Sequence, residues 1–264
     1  MRRMPKLRRF RVGSLQGSKP GDTVALPEAE ARHMRVLRLA AGTEITVFDG
    51  AGRSALARLA ETTEGFQVAR LILQDLGSGL APASGKPETR NQKPETLLIL
   101  ASAWPKGKRA ALLVGKCSEL GVNLILPVRY ARSVVHKAEG SESLARLRRI
   151  AAEAAKQCGR NDEPEIGAER SFSQLLAEEA RNTFALLLDA HADAGLAAVL
   201  LERRAALREK GVLLIVGPEG GLAPEELAAA AAAGVLSVRL ARHVLRVETA
   251  ALAACAVAGA LLDG

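Results

Sequence analysis

The chain has 264 residues, a formal charge of +8 and only 3% aromatic residues, so its core has to be aliphatic. That length supports one large or two moderate domains and buries enough apolar surface without disulfide or metal staples. Cys117, Cys158 and Cys255 are odd in number and far apart, matching neither a disulfide framework nor a metal-ligand spacing, and His33, His136, His191 and His243 form no helical pair. These counts argue against a secreted scaffold and against metal catalysis, so no bound metal is expected. Arg2-Arg3 is not followed by an apolar run, so no export signal is visible. A cytoplasmic protein with reduced thiols is the expectation.

In chain order, the N-terminus is the most basic stretch. Residues 1–11 carry Arg2, Arg3, Lys6, Arg8, Arg9 and Arg11 without one acid, and Arg32, His33, Arg35 and Arg38 follow as a second group. Over residues 1–76 there are 13 Lys or Arg against 8 Asp or Glu. Such concentration is the footprint of a polyanion partner, with a solubilising tail as the alternative. Phe10, Phe48 and Phe66 are the only aromatics there, which favours phosphate and shape contacts with RNA over stacking on several bases. Alternation over 44–48 and 66–73, with Asp49-Gly50 between them, predicts a small β-rich domain over residues 1–76. Residues 77–94, rich in Gly, Ser, Pro, Lys and Asn, read as a flexible linker.

From residue 95 to 264 the pattern turns to strand–helix alternation, the signature of an α/β domain with a mainly parallel sheet. Strands are predicted at 96–101, 123–130, 183–189, 212–216 and 235–240, and helices near 107–120, 141–158, 195–209, 224–233 and 249–262. The last helix spans roughly 21 Å against a hydrocarbon core of about 30 Å, so it reads as buried and no membrane partner is expected. The apolar run 212–216 leads into Gly217-Pro-Glu-Gly-Gly-Leu222, whose bare backbone lets a ligand approach closely. Pro224, Glu225 and Glu226 then open a helix. The loop matches neither G-x-G-x-x-G nor G-x-x-x-x-G-K-[ST], and Glu219 would repel a phosphate. A second strand–loop–helix unit runs through Leu240-Ala-Arg-His-Val-Leu-Arg-Val-Glu-Thr-Ala250. Two such loops at the carboxyl ends of strands suggest a cofactor site.

Gly217-Pro-Glu-Gly-Gly-Leu222 with Leu245-Arg-Val-Glu-Thr-Ala250 resembles the last two motifs of the SPOUT methyltransferases, and within them the RsmE family. Arg32-His-Met-Arg-Val-Leu-Arg38, Val47-Phe-Asp-Gly50, Lys106-Gly107, Lys116, Glu119-Leu-Gly-Val122 and Glu153-Ala-Ala-Lys-Gln-Cys-Gly-Arg160 are similar to that family in the same order. The chain departs at Gly115 and Val247, where the family often has Gln and Thr. The resemblance implies a PUA-like N-terminal barrel, a SPOUT-type parallel sheet and a C-terminal trefoil knot, which general topology rules would exclude. It implies methylation of N3 of a uridine in 16S ribosomal RNA of the small subunit, with S-adenosyl-L-methionine as methyl donor.

On that reading Leu188, Asp189, His191, Gly217, Pro218, Glu219, Gly220, Gly221, Leu236, Leu240, Ala241, Leu245, Arg246 and Glu248 are the cofactor-binding candidates. Core packing is the alternative for Leu240 and Leu245, and a favourable helix N-terminal position for Glu248. Arg246 and Arg160 are the candidates for stabilising a uracil anion, with Glu248 a third catalytic candidate. Arg8, Arg9, Arg11, His33, Arg35, Arg38 and Lys106 are the RNA-binding candidates. Cys255 as a methyl-accepting nucleophile is a minor alternative. The helix over 249–262 is apolar all round, which predicts cover on all sides: a homodimer, to which the family resemblance also points and in which Arg160 of one chain would act on the partner's cofactor, or full burial inside one subunit as the alternative. A nicotinamide-dependent oxidoreductase and a non-enzymatic RNA-binding protein are the competing readings.

Overall fold

The computed structural model describes residues 8–60, 68–71, 96–105, 107–133 and 141–262. The predicted linker and Lys106 lie outside them. Two compact units divide the chain, one of Met1–Lys93 with Ala155–Glu163 and one of Pro94–Ala154 with Pro164–Gly264.

In the first unit β1 (Arg9–Arg11), β2 (Thr23–Ala25), α1 (Glu28–Val36), β3 (Glu44–Phe48), β4 (Ser54–Ala60) and β5 (Val68–Leu71) follow one another. The strands form one sheet in the order β1-β3-β4-β5-β2, parallel at β1–β3 and antiparallel elsewhere. Alternating side chains of β3 and β4 turn inward, where Ile45, Val47, Ala57 and Leu59 pack with Phe10, Leu15 and Met34. The buried Asp49 carboxylate makes the β3–β4 turn by accepting from the backbone N–H of Ala51 and Arg53 at 2.9 and 3.1 Å. Gly50 and Gly52 supply the positive φ that the turn requires. No helix is predicted here from the sequence; α1 buries only Ala31 and Met34 and has no side-chain cap, so its local signal is weak.

Ala155–Glu163, expected within the C-terminal domain, pack instead with this first unit. The reason is polar. Arg9 donates to the Arg160 carbonyl at 2.9 Å and to Asn161 Oδ1 at 2.5 Å, and Gly52 N–H donates to the Asn161 carbonyl at 3.0 Å. Lys156 meets Glu30 at 2.5 Å and lies over the Phe10 ring at 5.0 Å.

The second unit runs β6 (Leu98–Ala103), α2 (Lys108–Glu119), β7 (Leu124–Arg129), α3 (Ser141–Cys158, whose last turn belongs to the first unit), β8 (Glu165–Ile166), β9 (Arg170–Ser171), α4 (Phe172–Glu178), β10 (Phe184–Leu188), α5 (Leu196–Glu202), α6 (Arg204–Lys210), β11 (Val212–Val216), α7 (Pro224–Ala232), β12 (Leu236–Val238) and α8 (Val247–Leu262). Its strands are parallel, in the order β12-β10-β11-β6-β7-β8, with β9 also on β7. The predicted strands at 212–216 and helix at 141–158 match the observed bounds, and the predicted helix at 195–209 is broken at Arg203 into α5 and α6. The central strands β6 and β11 are buried along their whole length, as strands with helices on both faces must be.

Helix α8 buries one face only, Val247, Glu248, Ala251, Ala254, Cys255, Ala258 and Leu262. Its other face leaves Leu252, Ala253, Val257 and Leu261 half-covered and Ala256 and Ala260 exposed. Cys255 is fully buried and its thiol is pushed well up by a hydrogen bond with Cys117 and by burial, which removes the thiolate that a nucleophile needs. Among the described residues no helix is long and apolar enough to cross a membrane.

Candidate active site

Because the sheet is parallel, the loops after β6, β7, β10, β11 and β12 leave it at one edge. The glycine loop after β11 is the best defined of them. Gly221 has φ +68, a left-handed conformation that glycine adopts without strain, and its N–H donates to the Pro218 carbonyl at 2.9 Å. A Cβ at Gly217 would press on the end of the Leu222 side chain, which would have to move aside. Gly220 is different: a Cβ there meets Arg132 Cβ at an ordinary 3.5 Å, so the fold itself does not require glycine. Arg132 donates to the Gly220 carbonyl at 3.1 Å, and Glu226 accepts from the N–H of Ala223 at 2.9 Å and of Ala131 at 2.8 Å. The loop is thus pinned to the residues that follow β7.

The glycine loop and the first turn of α8 come together at Arg109, a residue not singled out from the sequence. Arg109 Nη1 lies 3.6 Å from Glu248 Oε1 and 4.0 Å from Glu219 Oε1. Glu219 is exposed, whereas Glu248 is buried with Oε2 lacking a hydrogen-bond partner. A buried, half-satisfied carboxylate beside exposed loop backbone is suited to a cationic ligand. A local signal for Arg109 existed: α2 begins with Lys108 and Arg109 and has no acid in its first turn, the reverse of what the helix dipole favours.

Leu188 ends β10 and Asp189 follows it; Asp189 N–H donates to the Val238 carbonyl at 3.0 Å, and its Oδ1 accepts from the His191 N–H at 2.9 Å. Leu240, Ala241 and Leu245 are half-buried in the loop before α8. Leu236 starts β12, two residues back from the strand's carboxyl end, and is exposed. Arg246 is exposed, and its carbonyl accepts from Ala250 N–H at 2.8 Å in the first turn of α8. Arg160 is not brought to these loops within the second unit. It lies in the first unit, its side chain 13% exposed and paired with Asp162 at 2.5 Å.

A cleft of about 1500 Å³ opens beside the glycine loop, walled by Trp104, Pro105, Arg109, Tyr130, Phe172 and Pro218 among others. The Tyr130 hydroxyl donates to the Val216 carbonyl at 3.1 Å, and burial pushes its phenol up so that it stays a donor. That bond ties the end of β7 to the last residue of β11, where the glycine loop begins. None of these aromatics was legible as a site residue, because each lies in a different segment.

Of the basic candidates, Arg8, His33, Arg35 and Arg38 are exposed on the first unit. Arg8 reaches the Leu37 carbonyl, and His33 sits edge-on to Phe10 at 5.8 Å, which places them beside α1. Arg9 and Arg11 are committed elsewhere. Arg9 is half-buried, held by the 155–163 segment and stacked 5.1 Å over Phe48, and Arg11 pairs with Glu163 at 2.5 Å. Arg9 is thus held internally through Nη2, while its buried Nε has no hydrogen-bond partner among the described residues.

The family model described as an RNA methyltransferase domain matches residues 91–259, and one described as an RNA methyltransferase PUA domain matches residues 26–71. A ribosomal RNA small subunit methyltransferase E from Synechocystis is 31% identical over 91% of this chain and 74% of its own length. The chain belongs to the ribosomal RNA small subunit methyltransferase E family. A member from Mycobacterium bovis is 30% identical over 86% of this chain and 81% of its own. Among solved structures, the enzyme of Neisseria gonorrhoeae bound to S-adenosyl methionine is 29% identical, covers 95% of this chain and 96% of its own, and superposes with a TM-score of 0.77. A Legionella pneumophila methyltransferase in complex with the same cofactor is 25% identical over 97% and 98%, with a TM-score of 0.74. The family accounts for both units, the PUA model falling on the five-stranded sheet and the methyltransferase model on the parallel one.

Proposed function

We propose that this chain transfers a methyl group from S-adenosyl-L-methionine to N3 of a uridine in 16S ribosomal RNA of the small subunit, in the cytoplasm. The observation that carries this reading is the meeting of the glycine loop and the first turn of α8 at Arg109, with the buried Glu248 carboxylate left half-satisfied there. The cofactor supplies an electrophilic methyl on a sulfonium and carries an ammonium besides, so a site for it needs bare backbone for the nucleoside and carboxylates for the positive charge. Gly220, Gly221, Leu188, Ala241 and Leu245 meet the first need, and Glu219 and Glu248 the second.

The protein's own work is to hold the acceptor nitrogen in line and to favour loss of its proton. Arg246, exposed at the head of α8, would stabilise the uracil anion electrostatically and lower the pKa of its N3 proton. Placing two reactants in one orientation also removes a large entropic part of the barrier. Arg8, His33, Arg35 and Arg38 supply phosphate contacts from the PUA unit. The trefoil knot in the C-terminal third is part of this reading and rests on the likeness to SPOUT enzymes.

A homodimer completes it. The outer face of α8 carries Leu252, Ala253, Ala256, Val257, Ala260 and Leu261, small and apolar enough for a second chain to pack closely. Arg160 would act on the partner's cofactor only after leaving Asp162. Light scattering should give the mass of two chains.

The deciding experiment has two steps. Adenosylmethionine should raise the melting temperature while NAD(H) does not, since about 2.7 kcal/mol of stabilisation is expected at a ligand concentration of 100 Kd. Small subunits that lack the modification should then gain N3-methyluridine. No shift with adenosylmethionine, or methyl transfer to another atom, would overturn the reading.

A further inference from the structure

Three of the chain's seven aromatic side chains, Trp104, Tyr130 and Phe172, line one cleft in the second unit. Tyr130 and Phe172 are buried and pack together with ring centroids 5.2 Å apart, forming part of its wall. Trp104 is the single tryptophan; it packs against the aliphatic core with part of its surface still exposed. A large ring left at a cleft wall keeps apolar surface in water, which a flat ligand can cover.

The ring is also held firmly. Pro105 follows it and is buried, which restricts Trp104 to an extended backbone, and the Ser102 hydroxyl donates to the Ala103 carbonyl at 2.8 Å just before it. The cleft exceeds the roughly 300–1,000 Å³ of a site for one small ligand. It shares Pro218 and Glu219 with the glycine loop, so it has room for a second occupant beside whatever that loop holds.

The charges of the cleft narrow what that occupant is. Arg109 is engaged by Glu219 and Glu248, and Arg129 by Glu169. Glu226 is taken up by backbone N–H groups. Arg181, exposed at the cleft beyond α4, has no ion pair among the described residues. A flat, partly exposed indole and an uncommitted guanidinium in one cleft match the base and the phosphate of a single nucleotide.

We propose that this cleft receives an unstacked nucleotide of the RNA substrate, its base against Trp104 and its phosphate at Arg181. The inference rests on the methyltransferase reading above. An enzyme that modifies N3 of a base must take that base out of its pairing, because N3 lies on the pairing edge. The stacking wall lies next to the loop assigned to the methyl donor, so a base held there would be presented at the reacting end of the site.

Since Trp104 is the only tryptophan, the emission of the unmodified chain reports on it directly. The protein is first saturated with adenosylhomocysteine and then titrated with a short single-stranded oligouridylate, while labelled oligonucleotide follows binding by anisotropy. The oligonucleotide should quench the emission. Trp104→Ala should weaken its binding by about tenfold to a hundredfold, as loss of one stacking contact does, and Trp104→Phe should recover most of it. Cofactor affinity and the melting curve should be unchanged in both variants. Arg181→Ala should lower the log–log salt slope of binding by about 0.7.

Oligonucleotide binding with unaltered emission would overturn the proposal. So would full quenching by the cofactor alone, which would put the ring in the cofactor site. A Trp104→Ala variant that falls to the mass of one chain while keeping its RNA affinity would make the cleft a protein interface instead, and would equally overturn it. Failure of the methyltransferase reading looks different: adenosylmethionine would then leave the melting temperature of the unmodified protein where it was.

Discussion

The two units of this chain use their charged residues in different ways. In the PUA unit Arg9, Arg11 and Lys156 are turned to Asn161, Glu163 and Glu30 and hold the 155–163 segment against the sheet. In the methyltransferase unit an aliphatic core of central strands and packed helices does the holding, and Arg109, Glu219 and Glu248 gather at the sheet's carboxyl edge. The difference teaches that a run of basic residues is not yet an RNA footprint. Those paired with side chains or buried have to be subtracted first, which leaves His33, Arg35 and Arg38 exposed, with Arg8 beside them on one long bond to the Leu37 carbonyl.

The largest expected effect breaks the catalytic side of the comparison. Gly221→Val forces a β-branched residue to φ +68, a strain of about 1–3 kcal/mol, and should weaken adenosylmethionine binding roughly tenfold to a hundredfold by calorimetry. Gly220→Ala is its companion: the fold accepts the methyl, so a loss of cofactor affinity at unchanged melting temperature would report the ligand itself. Unchanged affinity in both would move the site away from this loop.

Arg9→Ala tests the structural use of charge in the PUA unit. Removing its hydrogen bonds to Arg160 and Asn161 should cost about 2 kcal/mol, read as a lower denaturant midpoint, while cofactor affinity stays within error. A normal midpoint with weakened RNA binding would return Arg9 to the phosphate-binding set. Charge reversal at Arg35 and Arg38 should do the opposite, leaving stability alone and lowering the log–log salt slope of RNA binding by about 0.7–0.9 for each lost phosphate contact.

The smallest effect concerns Glu163, whose carboxyl is raised by burial against the opposing pull of Arg11. A raised native pKa means that the folded state binds the proton more tightly than the unfolded chain does. This group's contribution therefore favours folding at low pH and is lost as pH rises through its native pKa. Glu163→Gln should melt slightly higher than the unmodified protein at pH 7.5, by a few degrees at most, and the gap should close toward the acidic range. A variant that melts lower at pH 7.5 would show the Arg11 pair to outweigh burial.

What the amino-acid order determined by itself was local. The apolar run of β11, the glycine loop after it, Pro224 opening α7 and the length of α3 were legible because period, cap and turn chemistry act over a few residues. The capping box of α4, Ser171 with Gln174, was equally local and could have revealed that helix. Likeness in motif order then carried the cofactor loops, though not the uses of their side chains. Tertiary structure decided the rest. It brought Arg109 to two carboxylates more than 100 residues away, gathered Trp104, Tyr130 and Phe172 into one cleft, and drew Ala155–Glu163 into the PUA unit. The physical reason is that a side chain's partners are set by which strands of the sheet lie side by side, and β11 lies next to β6 although more than 100 residues separate them.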